Sequence, residues 1–232
     1  MEFLHAIIVL SNFVVIPAIA YGSQLALGAL GVTLVYGILR FSNFAHGDTM
    51  AFGTMVAILF TWWFQSIGVS IAPLPTALLA LPIAIVVTAA LLLGTDRVVL
   101  RFYRKQKSAP VILLIVSLGI MFVYNGLVRF IIGVGDQRFS DGARFIISAR
   151  DFKKLTGLDE GLAIKTTQVI TVITAVLVVA ILFWFLNRTR TGKSMRAFSD
   201  NEDLALLSGI NHERVVLYTW LIVAVLATIA GT

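Results

Sequence analysis

The chain is 232 residues long, 59% hydrophobic and only 13% charged, with a formal charge of +6 and no cysteine. A soluble domain carries about a quarter of its residues charged, so this composition, with a mean hydropathy of +0.95, excludes a water-covered globule and indicates an integral membrane protein. The missing cysteines exclude a disulfide framework, a thiolate metal site and a cysteine nucleophile. The basic residues gather in short loops between apolar runs, which fits membrane topology and not nucleic-acid recognition.

A bilayer-spanning helix needs about 20 apolar residues. Seven runs meet or approach that length: 3–21, 24–39, 49–67, 74–94, 109–133, 166–186 and 215–232. They predict an all-α, polytopic helix bundle, a single membrane domain over residues 1–232. The first run ends near Ala18-Ile19-Ala20, an A-x-A-like cleavage pattern. No lysine or arginine precedes Arg40, so the run reads as a retained helix and not a signal peptide. The second run is short and holds Gly28, Gly31 and Gly37, which predicts a broken or bent helix. Ala29, Thr33 and Gly37 fall four apart, as do Gly53 and Ala57, and small residues at this spacing let helix backbones approach. The last run stops at Ala230-Gly231-Thr232 in mid-pattern, so the expectation is a chain truncated at its C-terminal end.

Orientation follows from the cations. Arg97, Arg101, Arg104, Lys105 and Lys107 crowd one short loop, and Arg188, Arg190, Lys193 and Arg196 crowd another. Two spans separate these loops, so both lie on one side, and the positive-inside rule makes that side cytoplasmic. The segment 134–165, with eleven charges of both signs, is then an extracytoplasmic loop. Alternation over seven spans places the N-terminus inside and Thr232 at the outer end.

Two segments carry chemistry. Residues 34–53 read LVYGILRFSNFAHGDTMAFG and place Arg40, Asn43, His46 and Asp48 between membrane-length runs, where polar groups need a structural or transport reason. Asp48 suits the N-terminal dipole end of the third span, with Gly47 as a permissive turn before it. Asn43 and His46 suit hydrogen bonding at a broken helix junction, and Asn43, His46, Gly47 and Asp48 are candidates for substrate passage or gating. His46 has no companion histidine nearby in sequence, so no metal site is expected. The second segment is the loop 188–214. Its Gly192-Lys193-Ser194 invites a P-loop reading, but position 187 is Asn187 where that motif needs glycine, and a membrane span precedes it, so nucleotide binding is rejected. A short helix over 199–209 is expected instead: Ser199-x-x-Glu202 has the capping-box spacing, Asp200 and Asp203 favour the dipole, and Gly209 can terminate it. Leu204, Leu207 and Ser208 form one narrow face, suited to a membrane interface or to a groove on a partner.

Both segments resemble a known family. NFAHGD at 43–48 is similar to the signature of bacterial branched-chain amino-acid permeases, the membrane subunits of ATP-binding-cassette importers. MRAFSDNEDLALLSGI at 195–210 is similar to the cytoplasmic coupling loop of such permeases, with Ala205 and Gly209 at the matching small positions and Leu204 where alanine is more common. The resemblance spans essentially the whole chain. It implies a permease for branched-chain amino acids or a related amide or urea, in a bacterial cytoplasmic membrane, with no cofactor and no enzymatic activity of its own. It also implies a second permease subunit, two cytoplasmic ATP-binding subunits and an extracytoplasmic solute-binding protein as partners. Ser199, Glu202, Leu204, Ala205, Leu207 and Gly209 would serve ATPase coupling. The rival reading is an ion-coupled secondary transporter, which calls for intramembrane acids; apart from Asp48, the predicted spans hold none. A membrane enzyme would need a convergent polar cluster, and no catalytic motif is present.

Overall fold

The computed structural model describes residues 2–69, 75–135, 137, 139, 145–147, 153 and 163–232. Helix α1 (Glu2–Leu10) runs through a π turn (Ser11–Val15) directly into α2 (Ile16–Leu39). The wide turn stands just before Pro17, where the proline ring would otherwise clash with the carbonyl one turn back. Ser23, in the polar stretch that separates the first two predicted spans, donates its hydroxyl to the Ile19 carbonyl (2.8 Å), so nothing there forces the chain out of the helix. The two runs are therefore one helix and not two spans.

That merger changes the topology. Ala6–Leu39 is 34 residues long, about 51 Å at 1.5 Å per residue, against about 40–45 Å for a bilayer with its headgroups. One end meets the segment just ahead of α7 (Thr166–Arg188), where the Ala163 amide donates to Asn12 Oδ1 (3.2 Å). The other end, at Leu39, lies beside the loop 188–214, as described below. The N-terminal end of the helix therefore lies at the opposite end of the bundle from the loop 188–214, whereas seven alternating spans would put both on one side.

The chain then turns through residues 40–45 into α3 (His46–Ser66), returns as α4 (Ala77–Thr95), a π turn (Asp96–Leu100) and α5 (Arg101–Lys105), and crosses again as α6 (Pro110–Ile132). From the outer segment the structure describes an antiparallel pair, β1 (Phe145–Ile147) and β2 (Ile164–Lys165), with Phe145 opposite Lys165. Helix α7 leads inward to α8 (Arg190–Asp200) and α9 (Glu202–Leu207), and α10 (His212–Gly231) runs outward again. Among the described residues five helical stretches are long and apolar enough to cross a membrane: 6–39, 77–105, 110–132, 166–188 and 212–231. Helix α3 is less apolar than these because it is enclosed: His46, Thr49, Gly53 and Thr61 are all buried along it.

Helix α10 is the centre of the bundle, packed against α2, α3 and α4, with Trp220, Val223, Ala224 and Ala227 buried. The perimeter is apolar and exposed (Val86, Phe122, Phe130, Phe183 and Trp184), as lipid-facing surfaces are. Gly53 packs as expected, its Cα facing the Thr228 backbone so closely that a methyl group would meet it at 3.0 Å, and Ala57 is fully buried. On α2 the packing face is instead Gly28 and Gly31, while Ala29 and Thr33 are exposed.

One buried polar cluster locks α4 to α10. Asp96, 8% exposed on the π turn, accepts a bidentate pair from Arg104 and the Trp220 indole N–H at 2.7 Å. Thr95 and Tyr124 share a hydrogen bond beside it (2.6 Å). Asp96 is thus a buried acid that the predicted spans did not include, since the helix continues past the predicted boundary at residue 94; it is paired with Arg104.

The topology is testable because the chain lacks cysteine. Introduced at Ala6, a single cysteine should react with an impermeant thiol reagent applied from outside, and one at Ser108 should not. Protection at both positions would restore the seven-span arrangement, and labelling at Ser108 with protection at Ala6 would invert the orientation.

Candidate functional site

Helix α2 ends at Arg40, which adopts a left-handed conformation (φ 58°, ψ 26°) and sends its amide back to the Tyr36 carbonyl. This position, and not Gly47, makes the turn. Gly47 is an ordinary helical residue with open space around its Cα. A non-glycine residue at positive φ is uncommon, and here the Arg40 guanidinium is held by the Ser199 carbonyl on α8. Ser199 in turn donates its hydroxyl to the Gly37 carbonyl at 2.8 Å. Two reciprocal bonds therefore fasten the cytoplasmic loop to the end of α2.

From Arg40 the chain climbs back into the bundle without helix. Phe41 is 1% exposed, and Asn43 and Ala45 are also buried. Backbone groups at such depth must find partners inside the protein, and they do. Asn43 closes the turn into α3, its Oδ1 accepting from the Ala45 amide (3.2 Å) and its carbonyl from the His46 amide (3.4 Å). Ser117 on α6 accepts from the Phe44 amide (3.1 Å). Asn43 therefore sits at a broken helix junction, as its sequence context implies.

His46 begins α3 at the level of Gly31, eight residues before the end of α2, or about 12 Å inward along that helix. Its imidazole occupies the notch that Gly31 leaves; a methyl at Gly31 would stand 2.7 Å from Nε2. The ring is 3% exposed and neither nitrogen has a hydrogen-bond partner, although the Gly28 carbonyl lies close enough to act on it electrostatically. Among the described residues no group of three or more potential metal ligands exists. Asp48, in the first turn of α3, does not cap the helix with its side chain; it accepts from the Asn125 amide on α6 at 2.9 Å. Asp48 and Asn125 are half-buried, so a polar pair stands at membrane depth with one side open.

In the loop the predicted capping box gives way to another arrangement. Ser199 lies in the last turn of α8, and Asn201 caps α9, its Oδ1 accepting from the Leu204 amide (3.1 Å). Glu202 lies within reach of His212 (3.6 Å). Ala205 is buried, and Gly209 at φ 82° ends α9, with the Ile210 amide bonding back to the Ala205 carbonyl (3.1 Å). Leu204 and Leu207 are 61% and 84% exposed, so the narrow apolar face is unoccupied. Gly192 has a packing role: α8 crosses the end of α7 so closely that a side chain there would strike the Leu186 backbone, and Thr189 caps α8 by accepting from the Gly192 amide (3.0 Å).

The structure brings the two candidate segments together. Phe41 and Ala45 share one hydrophobic cluster with Met195, Phe198 and Ala205, closed by Trp220. Burying Phe198 and Met195 contributes roughly 1.5–3 kcal/mol each, so α8 is anchored in the bundle and not laid on its surface. Sequence reasoning missed Ser117 and Asn125, both legible as polar residues within an apolar span. It also missed the pairing of Arg40 with Ser199, for which no local pattern exists.

Comparison with known proteins identifies the family of the chain. Residues 15–232 match the family model described as branched-chain amino acid transport system / permease component. The chain is 29% identical over 216 residues to the high-affinity branched-chain amino acid transport system permease protein LivH of Salmonella typhimurium, covering 92% of this chain and 67% of that protein. It is 29% identical over 217 residues to the corresponding BraD protein of Pseudomonas aeruginosa (93% and 68%). The same identity holds over 220 residues with a probable LivH of Methanocaldococcus jannaschii (92% and 63%). The chain thus spans about two thirds of the length of these relatives. No solved structure matches it.

The Gly31 notch gives a direct test. Gly31→Ala should destabilise the detergent-purified protein by roughly 1–3 kcal/mol, as overpacking does, whereas Gly22→Ala, where nothing lies within 4 Å, should not. Adding His46→Ala to Gly31→Ala should recover most of the lost thermal stability. Equal midpoints for the two glycine variants would contradict the notch.

Proposed function

Because this chain belongs to the permease-component family of branched-chain amino acid transport systems, we propose that it is a membrane subunit of an ATP-binding-cassette importer for branched-chain amino acids or a related small polar solute. The observation that carries this reading is the Ser199 clasp. An exposed apolar helix, α9, suited to docking on a cytoplasmic partner, continues a segment bonded to the end of α2 and to the non-helical stretch that leads into α3. A push on Leu204 and Leu207 would reach Asp48 through Ser199, Arg40 and the buried run 41–45.

In this reading two cytoplasmic ATP-binding subunits supply the push, a second permease subunit, identical or homologous, completes the pathway, and an extracytoplasmic binding protein delivers solute at the outer side of a bacterial inner membrane. ATP hydrolysis belongs to the partner and not to this chain. Asn43, His46, Gly47 and Asp48 form the gate region: His46 and Asn43 fix where α3 begins, and Asp48 with Asn125 presents polar groups at depth. A face of this kind belongs against a water-filled path or another protein, since polar side chains avoid lipid. Ion coupling is less well supported, because the buried acid Asp96 is already paired with Arg104.

The leucines decide the matter. Leu204→Asp and Leu207→Asp should remove ATPase co-purification and solute uptake together, because a carboxylate in an apolar groove costs several kcal/mol when unpaired, while membrane insertion and yield should persist. Normal uptake with normal ATPase retention would leave α9 as an interfacial helix and reopen the secondary-transporter reading.

A further inference from the structure

At the inner end of the bundle four arginines have partners. Arg101 pairs with Glu213 (3.0 Å), Arg104 with Asp96, Arg196 with Asn187 (2.8 Å), and Arg40 with the Ser199 carbonyl. Arg190 and Arg214 do not, and both line one pocket of about 290 Å³ between α8 and the start of α10. Two further donors converge on it: the Thr191 hydroxyl and the Asn211 side-chain amide, whose oxygen is engaged by the Arg214 amide (3.2 Å) while its nitrogen is free. The acids that flank the pocket are already engaged, Glu213 by Arg101 and Glu202 by His212. The pocket is therefore a concave site with two uncompensated guanidinium groups and neutral donors.

Its position narrows the ligand. Arg190 follows the last residue of α7 by two positions, and Arg214 opens α10, so both guanidinium groups stand where spans leave the membrane. The wall continues from them to Val215 and to Tyr218 one turn further along α10, and Tyr218 is 39% exposed. A cationic rim above an apolar, aromatic wall matches a phosphate group at headgroup level with acyl chains below it. Planar guanidinium groups bind phosphate oxygens in pairs, which favours phosphate over a lone carboxylate. We propose that this pocket binds a phosphate-bearing anion at the inner membrane surface. The proposal stands independently of the import reading.

The test titrates detergent-purified, delipidated protein with phosphatidylglycerol or phosphatidylcholine, reads bound lipid by native mass spectrometry, and reads the thermal midpoint with millimolar inorganic phosphate. The native protein should bind phosphatidylglycerol about tenfold or more tightly than phosphatidylcholine. Arg190→Gln and Arg214→Gln should each weaken this by roughly fivefold, and Arg97→Gln, an inner-end arginine outside the pocket, should not. If the lipid preference is absent but phosphate raises the midpoint of the native protein and not of the Arg190→Gln/Arg214→Gln variant, the proposal holds with free phosphate as the ligand. Equal weakening by Arg97→Gln and the pocket variants, or no response to either probe, would overturn it. Unchanged lipid and phosphate binding with lost ATPase-subunit binding in the double variant would also overturn it, in favour of an acidic partner surface.

Discussion

Two hydrogen bonds join the loop 188–214 to the end of α2: Ser199 donates to Gly37, and Arg40 donates to Ser199. Arg40 is the position at which α2 stops, and its left-handed backbone conformation directs the chain back into the bundle. The same residue thus ends a helix, reverses the chain and grips the loop. Phe198 and Met195, buried beside Phe41, make the connection a packed joint and not a pair of isolated surface bonds.

The consequence is a helix that begins inside the membrane region. Helix α3 starts about 12 Å inward of the end of α2, and several polar groups at that break have partners within the protein. Asn43 folds onto the following amides, Ser117 accepts from Phe44, and Asp48 reaches Asn125. His46 is the exception, a buried ring without a hydrogen bond, held by shape in the Gly31 notch. An unsatisfied buried polar group costs about 1–3 kcal/mol, a cost that falls beside the break at His46 and also at Thr88 and Thr228 in the bundle.

Much of this was legible in the sequence, for definable reasons. Composition and apolar runs are enough for the all-α membrane class. Polar residues at 43–48 identified the break because hydrocarbon makes them conspicuous. Other features depended on contacts between distant residues. The fusion of two predicted spans rests on a π turn that accommodates Pro17, and neither glycine spacing nor hydropathy encodes it. Ser199 read as a helix cap because its spacing to Glu202 is right, yet Asn201 is better placed for that task and frees Ser199 for Gly37. Asp96 escaped notice because it lies just beyond an apolar run, and only the continuation of α4 buries it.

The central claim is that the cytoplasmic loop and the end of α2 move as one body during transport. A disulfide between cysteines placed at Gly37 and Ser199 tests it, since the chain has no other cysteine and a Cβ at position 37 would lie 3.6 Å from Ser199 Oγ, within reach of disulfide geometry. In the reconstituted transporter with its ATPase partner, the oxidised protein should import solute at the rate of the same protein under reductant. Loss of import on oxidation, restored by reductant, would show that the clasp must open and would contradict a rigid link.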